Sequence, residues 1–165
     1  MPVITFANPK GGAGKTTTAL ILANELASKG ARISIIDADP ERWISAWGQL
    51  PGKPESIEII SDVSEASIVD QIEMAQRQSQ FVIVDLEGTA SLMVANAIGM
   101  ADLVIIPVQG SSMDAKGGAK TIQLIRNQER MSRRKIFHSI VLTRTSAAIM
   151  SRSLRNVKEQ LAQGN

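Results

Sequence analysis

A run of small residues followed by a lysine and threonines is the first stretch that could do chemistry. It reads NPKGGAGKTT over residues 8–17 and matches the phosphate-binding pattern G-x-x-x-x-G-K-[ST], except that Pro9 stands in place of the first glycine. Small residues let backbone N–H groups approach phosphate oxygens, the lysine can reach the β- and γ-phosphates, and the first hydroxyl can bind magnesium. We call residues 8–17 the phosphate loop. Its expected nucleotide contacts are Gly11, Gly12, Ala13, Gly14, Lys15, Thr16 and Thr17.

Aspartates that end apolar runs are candidate partners for magnesium and for an attacking water. Asp37 and Asp39 close the run ISIIDAD, and their two-residue spacing puts both side chains on the same side of an extended chain. Asp85 closes the run FVIVD. Magnesium is bound by carboxylate and hydroxyl oxygens, and ligands of α/β proteins bind at the carboxyl ends of strands. Thr16, Asp37, Asp39 and Asp85 are therefore candidates for a magnesium and water site at the carboxyl ends of these strands.

Strand-like and helix-like segments alternate along the chain and must bring these residues together. The near-continuous Val, Ile and Leu runs indicate strands buried on both faces. We predict an α/β, three-layer P-loop NTPase fold with a mostly parallel central sheet covered by helices on both faces. The predicted strands are 3–7, 32–37, 57–61, 81–85, 103–108 and 136–143, and the predicted helices are 15–29, 41–49, 64–78, 91–100, 113–129 and 147–163.

Length and composition limit the classes of protein that fit. The chain has 165 residues, enough for one domain with a substantial core, so we expect a single P-loop ATPase domain over residues 1–165. It has no cysteine, which excludes disulfides, thiolate metal sites and cysteine nucleophiles. The N-terminus lacks a signal-peptide pattern, and no apolar run approaches the roughly 20 residues that cross a bilayer. We therefore expect a cytoplasmic protein without a membrane partner.

Charge is distributed unevenly along the chain. Residues 1–110 hold 7 Lys and Arg against 13 Asp and Glu, whereas residues 111–165 hold 11 against 3. A solvated helix face and a polyanion-binding surface both fit this pattern. In the second case, several of the basic residues near the end of the helix over 113–129 are expected to share a face. The candidate DNA contacts are Arg126, Arg130, Arg133, Arg134, Arg152, Arg155 and Lys158.

The pattern K-G-G-x-G-K-T-T, which runs from Lys10 to Thr17, resembles the deviant Walker A motif of the ParA/MinD family of ATPases. In that family the first glycine is absent, and the lysine at the position of Lys10 crosses a dimer interface to the other subunit's nucleotide. The resemblance implies that this cation offsets charge on the transferred phosphoryl group, as an arginine finger does. It also implies that Asp39 orients the hydrolytic water, that Asp37 lies near the magnesium shell and that Asp85 holds magnesium. The catalytic residues it implies are Lys10, Lys15 and Asp39.

The segments IIDADP, FVIVDLEGT, ADLVIIPVQGSSMDAKGG and VLTR resemble the same family in the same order, closest to the small ParF-like ParA partition proteins. This implies an ATP-dependent homodimer that binds DNA nonspecifically on the nucleoid. A centromere-binding partner protein would stimulate hydrolysis and release. ATP is favoured over GTP because LTRTSA stands where guanine-specific relatives have [NT]-K-x-D. Thr143 and Arg144 are the expected neighbours of the base.

Two other functions stay open at this point. A metabolic P-loop enzyme of the dethiobiotin-synthetase type has the same fold and a similar loop. A nucleotide-regulated adaptor with low turnover, in conjugation or cargo positioning, would use the same site to control assembly. Small ParA relatives usually continue for some tens of residues past the helix predicted over 147–163, so the domain is expected to lack a segment usual in the family.

Overall fold

A six-stranded sheet forms the centre of the computed structural model, which describes residues 1–88, 91–110, 112–145 and 159. Its strands are β1 (Val3–Phe6), β2 (Ile33–Ala38), β3 (Ile57–Ile60), β4 (Phe81–Leu86), β5 (Leu103–Val108) and β6 (Phe137–Leu142). The helices are α1 (Lys15–Ser28), α2 (Trp43–Gly48), α3 (Ile68–Gln78), α4 (Leu92–Met100) and α5 (Ser112–Ser132). The helix predicted over 147–163, with Arg152, Arg155 and Lys158, lies outside the described residues.

The strands are ordered β3-β2-β4-β1-β5-β6, and each neighbouring pair is parallel. The connection from β1 to β2 and the connection from β4 to β5 leave in opposite directions. Ligands of open α/β sheets bind outside the carboxyl ends of the strands at such a switch point. The phosphate loop follows β1 there. The predicted three-layer α/β fold is confirmed.

The two faces of the sheet carry separate apolar cores. Ile35 and Ile83 pack in the layer of α1 and α2, whereas Ile36, Val82 and Val84 pack in the layer of α3, α4 and α5. Successive side chains of each central strand therefore enter opposite layers, which explains the unbroken apolar runs. β6 differs because it is an edge strand in the described sheet, and it is exposed at its start and half-buried at its end.

Asp102 joins the amino-terminal ends of β1, β5 and β6, at the opposite end of these strands from the phosphate loop. Its Oδ2 accepts the N–H of Val3 at 2.8 Å. Its own N–H donates to the carbonyl of Val3 at 2.9 Å, and its carbonyl accepts the N–H of Phe137 at 3.3 Å. The guanidinium of Arg134 lies 3.3 Å from its Oδ1. We call these contacts the Asp102 clamp.

Helix ends differ from the prediction where local hydrogen bonds compete with the helix. α1 ends at Ser28, one residue before the predicted end, and Gly30 follows with a left-handed φ of 83°. α2 begins at Trp43 rather than at residue 41, because Arg42 takes a left-handed φ of 53° and the N–H of Glu41 bonds the side chain of Asp39 at 3.0 Å. α3 begins four residues later than predicted, and α5 ends three residues later.

The buried core predicts a sharp contrast between two isoleucines. Ile35 is fully buried in the layer of α1, whereas Ile21 on α1 is 65% exposed. We expect Ile35→Ala to lower the free energy of unfolding by about 2–5 kcal/mol, because it removes buried methyl groups and leaves a cavity. Ile21→Ala should change it by less than about 0.5 kcal/mol. Urea unfolding followed by circular dichroism measures both, and equal losses would contradict this packing.

Candidate functional site

The phosphate loop leaves β1 and turns directly into α1. Gly12 and Gly14 have left-handed φ values of 74° and 100°, which other residues adopt only with strain. Gly14 is the N-cap of α1, and no side chain caps its first N–H groups. A Cβ built on Gly11 or Gly12 would meet nothing within 4 Å. The loop therefore presents open backbone and the positive end of α1, an arrangement that suits phosphate oxygens.

Contacts from β5 and β6 brace the inner side of the loop. The hydroxyl of Thr143 donates to the carbonyl of Ala13 at 2.7 Å, and its methyl group lies 3.2 Å from where a Cβ of Gly14 would stand. Gln109 Nε2 donates to the carbonyl of Gly12. Thr143 thus supports the loop in this structure. Arg144, the other predicted neighbour of the base, has a φ of 53° and lines the phosphate pocket defined below.

Asn8 holds the start of the loop, and sequence reasoning missed it. This side chain is 2% exposed, its Nδ2 donates to the carbonyl of Pro107 at 2.6 Å, and its Oδ1 accepts the N–H of Lys10 at 2.9 Å. A Cβ on Gly117 of α5 would stand only 2.6 Å from that Oδ1. The available signal was a polar residue directly after an apolar strand, followed by proline.

Gly88 was also missed, although it follows the Asp85 strand closely. A Cβ at this position would lie 3.3 Å from the carbonyl oxygen of Pro9 and 3.4 Å from the backbone nitrogen of Gly11. A side chain here would push against the backbone of the phosphate loop, so glycine lets the segment after β4 pack closely against it. The glycine in FVIVDLEG was visible, but its long-range partner was not.

The acidic part of the site lies against the first turn of α1. The hydroxyl of Thr16 donates to Asp85 Oδ2 at 2.7 Å. The register of β2 and β4 pairs Asp37 with Asp85, and both residues are fully buried. One oxygen of each carboxylate, Oδ1, has no hydrogen-bond partner in the described structure. Lys15, which is 6% exposed, supplies a nearby cation.

Asp37 has a structural contact as well as a free oxygen. Its Oδ2 accepts the N–H of Ser45 at 2.8 Å and also the hydroxyl of Ser45. The guanidinium of Arg42 donates to the backbone carbonyl of Asp37. Asp37 therefore fixes the start of α2 through one oxygen, and its other oxygen is buried without a hydrogen-bond partner in the described structure.

Asp39 lies at the rim of the phosphate pocket and is half-buried. Its Oδ1 accepts the N–H of Glu41. Trp43, which the sequence did not single out, is 62% exposed on the same rim. The phosphate pocket is lined by Gly11, Gly12, Gly14, Lys15, Thr16, Thr17, Asp39, Glu41, Trp43, Gly88 and Arg144.

Burial raises the pKa of Asp85 to about 7. The hydrogen bond from Thr16 and the charge of Lys15 lower this pKa, and the charges of Asp39 and Asp37 raise it further. The described residues hold no cluster of three His, Cys, Asp or Glu side chains that could cage a metal ion. Magnesium is commonly bound by one or two protein oxygens together with phosphate oxygens and water, so Thr16, Asp85 and the two unpartnered oxygens fit it.

The predicted basic residues do not all lie on one helix face. Arg126 and Arg130 are exposed on α5, and Arg130 donates to Asn127 Oδ1 at 3.1 Å. Arg126 and Arg130 lie one turn apart on α5, whereas α5 ends at Ser132 and Arg133 follows with a left-handed φ of 53°, so Arg133 and Arg134 do not continue that helix. Arg134 instead donates to the carbonyls of Gly99 and Ala101 at 2.9 and 2.7 Å, at the end of α4.

The phosphate loop at the switch point, with a threonine hydroxyl bonded to a buried aspartate of the adjacent strand, defines the class: a P-loop NTPase of the ATPase type. Residues 1–164 match the VirC1 protein family. The chain therefore belongs to this family of ParA-like proteins. The resemblance to ParA expected from the motifs is confirmed.

Similar proteins include partition proteins and a metabolic enzyme. Over 161 residues the chain is 46% identical to Protein ParA of Rhizobium radiobacter, covering 98% of this chain and 72% of that protein. The ATP complex of McdA(D38A) from Cyanothece superposes with a TM-score of 0.82 at 16% identity, covering 99% and 78%. Cobyrinic acid a,c-diamide synthase of Mycobacterium smegmatis, with bound ATP analog and magnesium, gives 0.80 at 16% identity, covering 100% and 80%. These two structures show the shared fold.

Within the described residues, no helix has the length and apolar character needed to cross a membrane.

The raised pKa of Asp85 predicts how stability depends on pH in the absence of metal. A carboxyl whose pKa rises from 3.8 unfolded to about 7 folded binds its proton more tightly in the native state. The stabilisation that this tighter proton binding gives to the folded state is fully present below pH 4. It is lost as the pH rises to about 7, and the free energy of unfolding falls by at most about 4 kcal/mol. We expect urea midpoints in EDTA to fall between pH 5 and pH 8 for the wild type, and to fall less for Asp85→Asn. Asp62→Asn, at an exposed site, is the control and should behave as the wild type.

Proposed function

We propose that this chain is a partition ATPase that forms a homodimer on binding ATP, binds DNA without sequence preference and is released on hydrolysis. A centromere-binding partner protein stimulates that hydrolysis. The observation that carries the proposal is the Thr16 hydroxyl bonded to Asp85 at 2.7 Å beneath an open glycine loop. Membership of a ParA-like family supports the partition role.

Nucleotide binding follows from the loop and the first turn of α1. Backbone N–H groups of residues 11–17 and the ammonium group of Lys15 bind the phosphates. The Thr16 proton is committed to Asp85, so the lone pairs of the hydroxyl oxygen remain available for magnesium. Thr16 and Asp85 would hold magnesium, which would offset the negative charge of the phosphates when bound.

Hydrolysis needs a positioned water and a cation at the transferred phosphoryl group. Asp39 lies half-buried on the rim of the phosphate pocket, where its carboxylate can orient a water. Lys10 lines a depression beside that pocket, together with Pro9, Lys116, Gly117 and Lys120. Lys10 is not among the residues that line the phosphate pocket of its own chain, which supports a role at the nucleotide of a second subunit.

DNA binding is proposed at the end of α5, away from the nucleotide. Arg126, Arg130 and Arg133 are exposed there, and Arg152, Arg155 and Lys158 remain candidates. Lys116 lines the depression that contains Lys10, and Arg126 lies about 15 Å farther along α5 at 1.5 Å per residue. The proposed DNA surface therefore does not overlap that depression. Contacts to phosphates alone give affinity without sequence preference.

Two lysine variants test the ATPase reaction. Lys15→Ala should lose nucleotide binding and turnover, because it removes the buried phosphate contact. Lys10→Ala should keep nucleotide binding but lose roughly 10²–10³-fold in turnover, as expected for one lost transition-state contact. The measurements are ATP hydrolysis with and without duplex DNA, nucleotide affinity, and dimerisation by light scattering, with exposed Lys29→Ala as the control.

The same assays separate the alternatives. Monomeric turnover that ignores both DNA and Lys10 would contradict the partition proposal and favour a metabolic enzyme, a class represented among the similar folds. ATP-dependent dimerisation with no turnover, even with DNA and a partner, would favour the adaptor.

Salt dependence tests the DNA surface. Arg126→Ala combined with Arg130→Ala should reduce the slope of log K against log salt by about 0.9 for each lost phosphate contact. Arg134→Ala should leave the slope unchanged and lower the free energy of unfolding by about 1 kcal/mol, because its guanidinium bonds the end of α4. Fluorescence anisotropy with labelled duplex DNA at several salt concentrations measures the slope. An unchanged slope in the double variant would place DNA elsewhere.

A further inference from the structure

An apolar cavity of about 240 Å³ lies behind the phosphate loop, between β1, α4 and α5. Val94 and Ile98 of α4 and Leu124 of α5 form its apolar wall, and Asn8 and Pro9 form the wall next to the loop. None of its lining residues lines the phosphate pocket. Aliphatic cavities of about 150 Å³ admit benzene, so this cavity has room for a leucine or aromatic side chain.

A basic depression adjoins this cavity. Pro9 and Lys120 line both spaces, and Lys10 and Lys116 also line the depression. Lys116 and Lys120 are exposed and lie one turn apart on α5. Glu87 is the one carboxylate among the described residues that line the two spaces, so positive charge predominates. An anionic group is therefore attracted to the mouth of an apolar cavity.

The wall of the cavity includes Asn8 and Pro9, the first two residues of the phosphate loop. Asn8 lines the cavity and bonds both the carbonyl of Pro107 and the N–H of Lys10. The carbonyl oxygen of Pro9, on the same wall, lies 3.3 Å from where a Cβ of Gly88 would stand. A group that enters the cavity would contact Asn8 and Pro9, and Asn8 is bonded to the backbone of Lys10.

We propose that the cavity and the depression together form a docking site for a segment of a partner protein that carries one leucine or aromatic side chain flanked by Asp or Glu. The apolar side chain fills the cavity, and the flanking carboxylates lie against Lys116 and Lys120. Charge complementarity selects this chemistry over a basic segment. Docking would change ATP turnover only if Lys10 serves hydrolysis, so this part rests on the proposed function. Docking itself does not.

Selection from a random peptide library identifies the segment that the site prefers. Displayed octapeptides are selected against the folded full chain in the absence of nucleotide. We expect enriched sequences with a leucine or aromatic residue next to Asp or Glu. The synthetic peptide of highest enrichment is then titrated by calorimetry against the wild type and three variants.

The variants separate the two halves of the site. Lys116→Glu combined with Lys120→Glu should weaken peptide binding at least about tenfold, because it reverses the charge that meets the carboxylates. Leu124→Trp should do the same by filling the cavity. Arg77→Glu combined with Lys29→Glu, at exposed positions on α3 and after α1, is the matched charge control and should bind as the wild type. Circular dichroism checks folding, and the lysine variant keeps the test valid if Leu124→Trp does not fold.

Several results would overturn the proposal. These are enrichment of basic peptides, no enrichment above background, or equal affinity for the wild type and the lysine variant. Loss of ATP-dependent dimerisation in the lysine variant would assign this surface to a second copy of the chain instead. Because peptide binding is measured without nucleotide, failure of the proposed ATPase function appears only in the turnover assay and is distinguishable from failure of docking.

Discussion

The pairing of two buried carboxylates, Asp37 and Asp85, is the constraint on which the rest of the site depends. Parallel strands β2 and β4 hold them side by side in the layer of α1. Buried like charges are unfavourable unless neighbouring groups offset them. The hydroxyl of Thr16 and the charge of Lys15 do so for Asp85, and Ser45 does so for one oxygen of Asp37. One oxygen of each carboxylate is left without a hydrogen-bond partner, and a divalent cation bound there would stabilise the folded chain.

The phosphate loop obtains its shape from its surroundings rather than from its own sequence. Three glycines give backbone freedom, which costs entropy when the loop is ordered. Asn8 fixes the start of the loop, Thr143 and Gln109 fix its middle, and Gly88 lets the neighbouring segment pack against it. Bracing from β4, β5 and β6 prepares the loop before a nucleotide arrives, so less of the binding energy is lost to ordering.

The sequence predicted the fold and the candidate site residues, but it did not reveal the residues that hold the phosphate loop in place. Apolar runs and their alternation were enough for all six strands, because each buried strand has a local signature. The phosphate-loop motif identified Lys15 and Thr16 as candidate site residues without any structural information. Asn8 and Gly88 act through partners far away along the chain, at Pro107 and Pro9, and no local pattern reveals such contacts. Helical spacing near the end of α5 suggested that Arg134 shares a face with Arg130, but its guanidinium bonds the carbonyl ends of α4 instead.

The Asp102 clamp makes the two ends of the parallel strands different. At the amino-terminal end, backbone hydrogen bonds around Asp102 join β1, β5 and β6. The partly exposed ion pair between Asp102 and Arg134 adds little to them, because solvent screens it. At the other end, the same strands lead into the phosphate loop and its neighbours, which are joined by backbone bonds from Ala7 to Ile105 and from Thr143 to Val108. The clamp holds the strands in register through contacts that do not involve the phosphate loop. A rearrangement of the loop therefore does not require the strands to separate.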